Sequence, residues 1–545
     1  MTRTGGRILV DQLAVHGADL AFCVPGESYL AVLDALYDSP IRLIVCRHES
    51  GAANMADAYG KLTGRPGICL VTRGPGATHA AVGVHTAFQD STPLILLVGQ
   101  VASDQEEREA FQEVDYRRMF GPMAKWVAQI ERPDRIPELV ARAFATATSG
   151  RPGPVVLALP EDMLGREADV PDARRYVSSQ PHPGDLAPVR ELLAASERPL
   201  AILGGGGWTP RASDDLRTFL GANDLPAGAA FRRQDSLDND SPSYVGDVGI
   251  GINPKLAARV READVLLVVG PRLGEMTTSG YSLLDVPRPR QVLVHVHPGA
   301  EELSRVYQAT LPILSGIEQF ASAVRDLRVE PRWREWRAEA RAEYEAWQRH
   351  GAMPGPVDYG DVVAYLRERL PADTVVCNGA GNFSVWVHRF WRYHAYPSQL
   401  APTSGAMGYG VPAAVAAKAV APDRTVLCFA GDGDFLMSGQ ELATAVQYEL
   451  PILIVVVNNG MYGTIRMHQE RHYPGRVVGT DLRNPDFAAY ARAFGAHGEA
   501  VERTEDFADA LERALASGLP ALLELRVDPE AITPGATLSE IRAGA

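Results

Sequence analysis

Runs of β-branched and aliphatic residues alternate with longer stretches whose apolar positions recur at helical spacing, and this alternation fills three successive regions of the chain. Over 4–163 the segments AFCVPG (21–26), LIVCRHE (43–49), GICLVTRGPG (67–76) and PLILLVGQ (93–100) read as strands with loops at their C-terminal ends. Helical patterns at 29–37 and 50–62 lie between them. Strand followed by helix, repeatedly, predicts a doubly wound parallel sheet. The polar, Pro-bearing stretch 165–187 reads as a linker. A second region, 188–327, contains PLAILGGGG (199–207), DVLLVVG (264–270) and QVLVHVHP (291–298). Its four-glycine run fits a nucleotide loop and a tight turn equally well. The segment 330–350, dense in Arg, Glu, Ala and Trp, predicts an exposed connecting helix that 351–356 breaks. The third region carries TVVCNGAGN (374–382), apolar runs at 425–429 and 452–457, and ALLELRV (521–527).

The expected fold class is therefore α/β, with three doubly wound parallel-sheet domains at 1–164, 188–327 and 356–545. A length of 545 residues agrees, at about 100–200 residues per domain. The net charge of −14 argues against nucleic acid or an anionic membrane surface as partner. Lys61, Lys125, Lys255 and Lys418 are the only lysines, so arginine supplies most of the positive charge. Cys23, Cys46, Cys69, Cys377 and Cys428 all lie in or beside apolar runs and form no CxxC pair. Buried free thiols in a reducing compartment are expected. The residues after Met1 lead directly into a helical pattern, and no stretch approaches a membrane span. A cytoplasmic protein is the expectation.

The densest chemistry lies at 431–459, GDGDFLMSGQELATAVQYELPILIVVVNN. Glycines at Gly431-Asp432-Gly433 let the backbone turn sharply and approach a ligand. Leu442, Ala445 and Val446 share a helical face, and the next apolar run ends at Asn458-Asn459. Asp432 and Asn459 thus fall at the carboxyl ends of two parallel strands, where α/β sheets bind ligands. A carboxylate, an amide oxygen and a backbone carbonyl, completed by diphosphate oxygens and water, suit octahedral Mg²⁺. A plain βαβ unit with a Gly turn would not need both ends of this pattern together.

Further motifs stand in a fixed order. They are Arg47-His48-Glu49, Gly74-Pro75-Gly76-Ala77-Thr78, Asp90-Ser91-Thr92-Pro93, Gly99-Gln100-Val101, Phe111-Gln112-Glu113 and GAMGYG (405–410). On these residues the chain resembles the acetolactate synthase, pyruvate oxidase and benzoylformate decarboxylase superfamily of thiamine diphosphate (ThDP) enzymes, over nearly its whole length. It is most like the acetolactate synthase large subunits. The resemblance makes the three domains pyrimidine-binding, central Rossmann-like and diphosphate-binding. It implies ThDP and Mg²⁺ as cofactors and a small-molecule 2-oxo acid as substrate. Glu49 matches the carboxyl group that hydrogen-bonds N1′ of the aminopyrimidine and drives formation of its 4′-imine. Burial raises the proton affinity of a carboxyl group, as that role requires. Met407 matches the apolar wedge that bends the cofactor, and the Gly405 carbonyl the acceptor for its 4′-amino group. Asp432, Asn459 and the carbonyl of Met461 match the metal ligands. Gly381, Asn382 and Ser384 align with the diphosphate loop, and a helix starting near Phe435 would aim its N-terminus at the phosphates. Pro25, Gly76, Gly433, Asp434 and Tyr462 complete the expected cofactor contacts. His79 and Gln112 join Glu49 as candidate catalytic residues.

The departures concern substrate and flavin. Asp434 stands where a small or hydroxylic residue is usual, and needs to turn away from the diphosphate or reach a backbone donor. His79 follows GPGAT where the synthases carry Asn, and an acid/base role is open to it. His85 stands where they have a small residue, and His468 aligns with a Trp that shapes the acceptor pocket. Phe111, Gln112 and Lys125 keep the synthase pattern. Gly249-Ile250-Gly251-Ile252 and His295-Val296-His297-Pro298 replace the flavin-type segments, which makes FAD doubtful. Decarboxylation of a 2-oxo acid with carboligation is the leading expectation. A non-oxidative 2-oxo acid decarboxylase and a catalytically silent ThDP-binding homologue are the alternatives. Glu49 and Met407 lie in different domains and both must touch one cofactor. A homodimer or homotetramer with shared active sites is therefore expected.

Overall fold

The computed structural model describes residues 2–349 and 351–544. The first compact unit comprises the chain up to Ser179 together with Val415–Val420 and Ser438–Leu450. Its strands are β1 (Arg3–Thr4), β2 (Leu20–Cys23), β3 (Arg42–Val45), β4 (Gly67–Val71), β5 (Leu94–Gln100), β6 (Trp126–Gln129), β7 (Pro154–Pro160) and β8 (Glu167–Ala168). Six of them form a sheet in the order β3-β2-β4-β5-β7-β6, every pair parallel. Every residue of β4, β5 and β7 is buried, as the continuous apolar runs demand of strands covered on both faces. β6 and β7 were not singled out in the sequence. β6 is an edge strand with four half-buried residues. The expected linker does not hang free along its length. β1 and β8 pair antiparallel, Arg3 donates to the Val170 carbonyl at 2.9 Å, and Tyr176 packs on the core of this unit.

The second unit holds two further sheets and spans Gln180–Ala414, Ala421–Met437 and Pro451–Ala545. The strands of the first are β9 (Leu200–Leu203), β10 (Ala227–Ala230), β11 (Tyr244–Val248), β12 (Val265–Val269), β13 (Val292–His297) and β14 (Leu311–Leu314), in the order β11-β10-β9-β12-β13-β14. Its alternation is visible in the cores. Ala201, Leu203, Leu267 and Val269 pack on one face, and Leu200, Ile202, Leu266 and Val268 on the other. The glycine run after β9 is a turn with Gly205 at φ 78° and Gly207 at φ 85°, closed by the Trp208 indole N–H on the Gly204 carbonyl at 2.6 Å. The segment expected as an exposed helix is helical over Arg334–Trp347, but it is amphipathic. Ala340 and Tyr344 are buried, and Trp333 just before it donates to the Asn223 carbonyl. His350, at the end of that expected span, lies outside the described residues.

The remaining strands are β15 (Val375–Asn378), β16 (Gln399–Leu400), β17 (Val426–Gly431), β18 (Leu453–Asn458), β19 (His497–Val501) and β20 (Ala521–Arg526), in the order β16-β15-β17-β18-β20-β19. All neighbours are parallel. All three sheets thus share one design: the third, doubly wound like the others, reverses direction between β15 and β17. The crevice at the carboxyl ends of that pair is the ligand-binding place of such sheets. In the first unit the corresponding reversal lies between β2 and β4. The five cysteines are buried and none is in a disulfide, as their apolar settings predict. Among the described residues no helix is long and apolar enough to cross a membrane.

Candidate active site

In the first unit the helix Glu49–Thr63 begins with Glu49, after His48 caps it by accepting the Ser50 N–H on Nδ1 at 3.1 Å. A carboxylate in a first turn is favoured by the helix dipole. Here Glu49 is turned to His79, with Oε2 at 2.9 Å from Nδ1. The rings of His48 and His79 lie 4.5 Å apart between centroids. Burial, with His79 beside it, holds the His48 imidazole below its usual range. His79 stands on the helix Gly74–Asp90, and Gly76 in its first turn lies against Glu49. Arg47 does not pair with Glu49; its guanidinium donates to Gln447 at 2.6 Å. At the reversal point Ser28 and Thr72 hydroxyls meet at 2.9 Å, just beyond the exposed Pro25. Gln112 takes a left-handed φ of 68°, and its carbonyl accepts the Gly74 N–H at 2.9 Å. Phe111 is 72% exposed. Lys125, which keeps the synthase pattern, is placed at a helix end. Its ammonium bonds the carbonyls of Thr146 and Ser149, neutralising the C-terminal end of the helix Ile136–Thr148.

Glu441 was missed in the sequence. It is fully buried, and its carboxylate accepts the backbone N–H groups of Arg47 at 3.1 Å and His48 at 3.0 Å, and the Thr444 hydroxyl at 2.6 Å. Burial pushes its pKa up, against the pull of those donors. Gly51 must be glycine because a Cβ there would run into this carboxylate. Glu441 thereby sets the backbone immediately before Glu49.

In the second unit a cavity of about 230 Å³ opens at the β15–β17 crevice, lined among others by Gly381, Asn382, Gly405, Met407, Asp432, Gly433, Asn459, Met461 and Tyr462. These predicted residues come from four separate segments and converge. Asp432 is the centre of the polar wall. Its Oδ1 accepts the Gly433 N–H at 2.9 Å; its Oδ2 accepts the Gly460 N–H at 2.9 Å and the Asn484 amide at 2.7 Å. Burial raises its pKa despite these donors. A divalent cation would hold such a group ionised. Asn459 closes a turn by accepting the Met461 N–H on Oδ1 at 3.2 Å. Asn382 is pinned by the Thr464 hydroxyl at 2.9 Å and by its own bond to the Ile532 carbonyl at 3.1 Å.

Ser384 is not among the lining residues; its hydroxyl turns to the Gly381 carbonyl at 2.8 Å and shapes the loop from behind. The helix expected near Phe435 is one turn, Asp432–Phe435, and the chain is helical again over Leu442–Gln447 after a 3₁₀ turn. It has no extended dipole to aim. Asp434 does reach backbone donors. Its Oδ1 accepts both the Gly408 N–H at 2.8 Å and the Ala380 N–H at 3.1 Å, so it ties the Met407 loop to the loop after β15. Its carboxylate fills the space where Gly379 lacks a Cβ. Burial pushes its pKa to about 7. His468 is exposed on the helix Gly463–His472, its ring stacked on His472, and His85 is exposed on Gly74–Asp90. Asn484, 52 residues from Asp432, left no local signal.

The donor set fits ThDP with Mg²⁺: hard oxygens at two strand ends, a glycine-lined crevice and the apolar side chain of Met407 in its wall. Comparison with known proteins agrees. Residues 3–119 match the N-terminal TPP binding domain of thiamine pyrophosphate enzymes, 186–324 the central domain and 379–525 the C-terminal TPP binding domain. The chain is 32% identical to the acetolactate synthase isozyme 2 large subunit of Escherichia coli (strain K12), over 98% of this chain and 99% of that one. It is 31% identical to a probable acetolactate synthase large subunit of Methanocaldococcus jannaschii, over 98% and 95%, and 31% identical to that of Parasynechococcus marenigrum, over 96% and 88%. Three such domains in order, and likeness along the full length, mean that the chain belongs to the thiamine diphosphate-dependent enzymes, among their acetolactate synthase-like members.

Proposed function

We propose that this protein decarboxylates a 2-oxo acid with ThDP and Mg²⁺ and joins the resulting acyl unit to a second carbonyl compound. The observation that supports it best is the pairing of Glu49 with His79, together with the Asp432–Asn459 wall, in a chain like acetolactate synthase large subunits throughout. Bound ThDP would supply a nucleophilic carbon and an electron sink. Glu49 holds or releases a proton at N1′ of the pyrimidine. Gly405 would offer its carbonyl to the 4′-amino group, and Met407 would pack against the cofactor's rings. Asp432, Asn459 and the Met461 carbonyl would hold Mg²⁺, and Asn382 would orient the loop beside the diphosphate. The reading leaves FAD out. His295 is buried and bonded to the Pro271 carbonyl at 2.9 Å, and His297 is turned to Gly299. Both side chains are engaged in bonds within the central domain.

Two copies of the chain would supply each site, the pyrimidine from the unit of Glu49 and the diphosphate from the unit of Asp432. A second reading, a non-oxidative decarboxylase, is favoured by specific residues. His79 stands half-exposed beside Glu49 and can deliver a proton, His468 replaces the acceptor-pocket Trp, and Lys125 is committed to helix carbonyls. Incubation with pyruvate and related 2-oxo acids, reading CO₂ and product masses, decides between them. A coupled hydroxy-oxo product is expected. Free aldehyde alone would replace the first reading by the second, and no turnover of any candidate would leave a silent ThDP-binding homologue.

A further inference from the structure

We infer that Asn484, backed by Asn458 and Glu524, is a positioning residue that holds Asp432 ready for the cation. The inference rests on the Mg²⁺ and ThDP reading of the cavity. Its basis is a directed chain of hydrogen bonds running from the sheet interior to the carboxylate.

Glu524 lies on β20 and is 1% exposed, with the Arg526 guanidinium 3.4 Å from Oε1. The same oxygen accepts the Asn458 amide Nδ2 at 2.7 Å. Asn458 ends the neighbouring strand β18. An amide has one donor end and one acceptor end. Because Nδ2 of Asn458 is taken by Glu524, its Oδ1 must face the turn. There it accepts the Gly460 N–H at 3.2 Å and the Asn484 amide at 2.8 Å. Both neighbours of Asn484 are then acceptors, so its two N–H groups are both spoken for, one on Asn458 and one on Asp432 Oδ2 at 2.7 Å. Reversing any one amide would set an oxygen against an oxygen.

The segment bearing Asn484 is itself laced to the metal-site turn. Tyr462 N–H donates to the Thr480 carbonyl and Leu482 N–H to the Gly460 carbonyl, each at 2.8 Å, and Met461 bridges Asp481. Asp432 therefore has fixed donors on both oxygens, and its plane is set before any cation arrives. Partners that orient a metal-binding side chain in this way typically matter about 10–100-fold in metal affinity. Glu524 acts through two amides and need not touch the cation.

The test is titration of apoprotein with Mg²⁺ at saturating ThDP, by calorimetry and tryptophan fluorescence, for wild type, Asn484→Ala and Glu524→Gln. The thermal midpoint of each apoprotein is recorded alongside. Asn484→Ala is expected to weaken Mg²⁺ about 10–100-fold, with an unchanged midpoint and with kcat recovering at saturating Mg²⁺. Glu524→Gln, able to offer either an oxygen or an N–H to Asn458, is expected to show a smaller weakening. Should Asn484→Ala lose its fold, the distant Glu524→Gln decides alone. Wild-type Mg²⁺ affinity in the variants would overturn the inference, as would a kcat that stays low at saturating Mg²⁺. If wild type itself bound no Mg²⁺ with ThDP, the proposed function would fall first.

Discussion

Asp434→Asn should stabilise the apoprotein above neutral pH and remove part of its pH dependence. Both backbone bonds to Asp434, from Ala380 and Gly408, converge on Oδ1. Asparagine keeps that oxygen and places an amide where the acid carries its proton, so it copies the neutral form in shape and in acceptors. Burial raises the folded-state pKa from 3.8 to about 7. Between these values the native protein holds a proton that the unfolded chain has released. Stability therefore falls as pH rises through this window, by about 1.4 kcal/mol per pH unit and about 4 kcal/mol in full. The variant lacks this contribution. Its advantage over wild type should grow with pH and level off above about pH 7. Urea unfolding of both proteins in EDTA, without ThDP, at steps between about pH 5 and 8 measures the difference. Two parallel pH profiles would refute the reasoning, as would a variant less stable than wild type at pH above about 7.

Glu49→Gln should retain ThDP binding by fluorescence titration while turnover, read as CO₂ release, drops about 10²–10⁴-fold; near-full turnover would remove Glu49 from its assigned role. Lys61 pairs with Asp57 at 2.8 Å and also with Asp90, with all three side chains at most 3% exposed. Lys61→Met leaves two buried carboxylates without their cation and should cost about 3–5 kcal/mol in urea unfolding; a loss below about 1 kcal/mol would contradict that account. Glu49→Gln and Asp432→Ala subunits, each inactive alone, should regain activity when mixed, since one site of a mixed dimer is intact. No recovery after verified subunit exchange would count against sites shared between copies.

The layered α/β architecture was legible because fully buried parallel strands leave long apolar runs, as at β4, β5, β17 and β18. The Gly-Asp-Gly turn and the Asn-Asn end were legible because strand ends and glycines mark where backbone meets ligand. Glu49, Met407, Asp432 and Asn459 stand out for these reasons and by resemblance. Short or half-exposed edge strands such as β16 and β6 were not legible, since two to four residues give no period to read. The amphipathic helix at Arg334–Trp347 looked exposed because its buried face is carried by few residues among many charges. Polar partnerships lay furthest from view. Lys125 was visible only as a motif residue, and its bonds to the Thr146 and Ser149 carbonyls are given by the fold. Asn484 reaches Asp432 across 52 residues, and Glu441 reaches Arg47 across 394. The chain alone therefore determined the layered α/β class, most of the central strands, where the ligand-binding ends fall and which chemistry is stocked there. Only the tertiary structure decided which donor each buried carboxylate meets. A hydrophobic pattern acts through average burial and is written locally, whereas a hydrogen bond depends on two particular atoms that packing alone brings together.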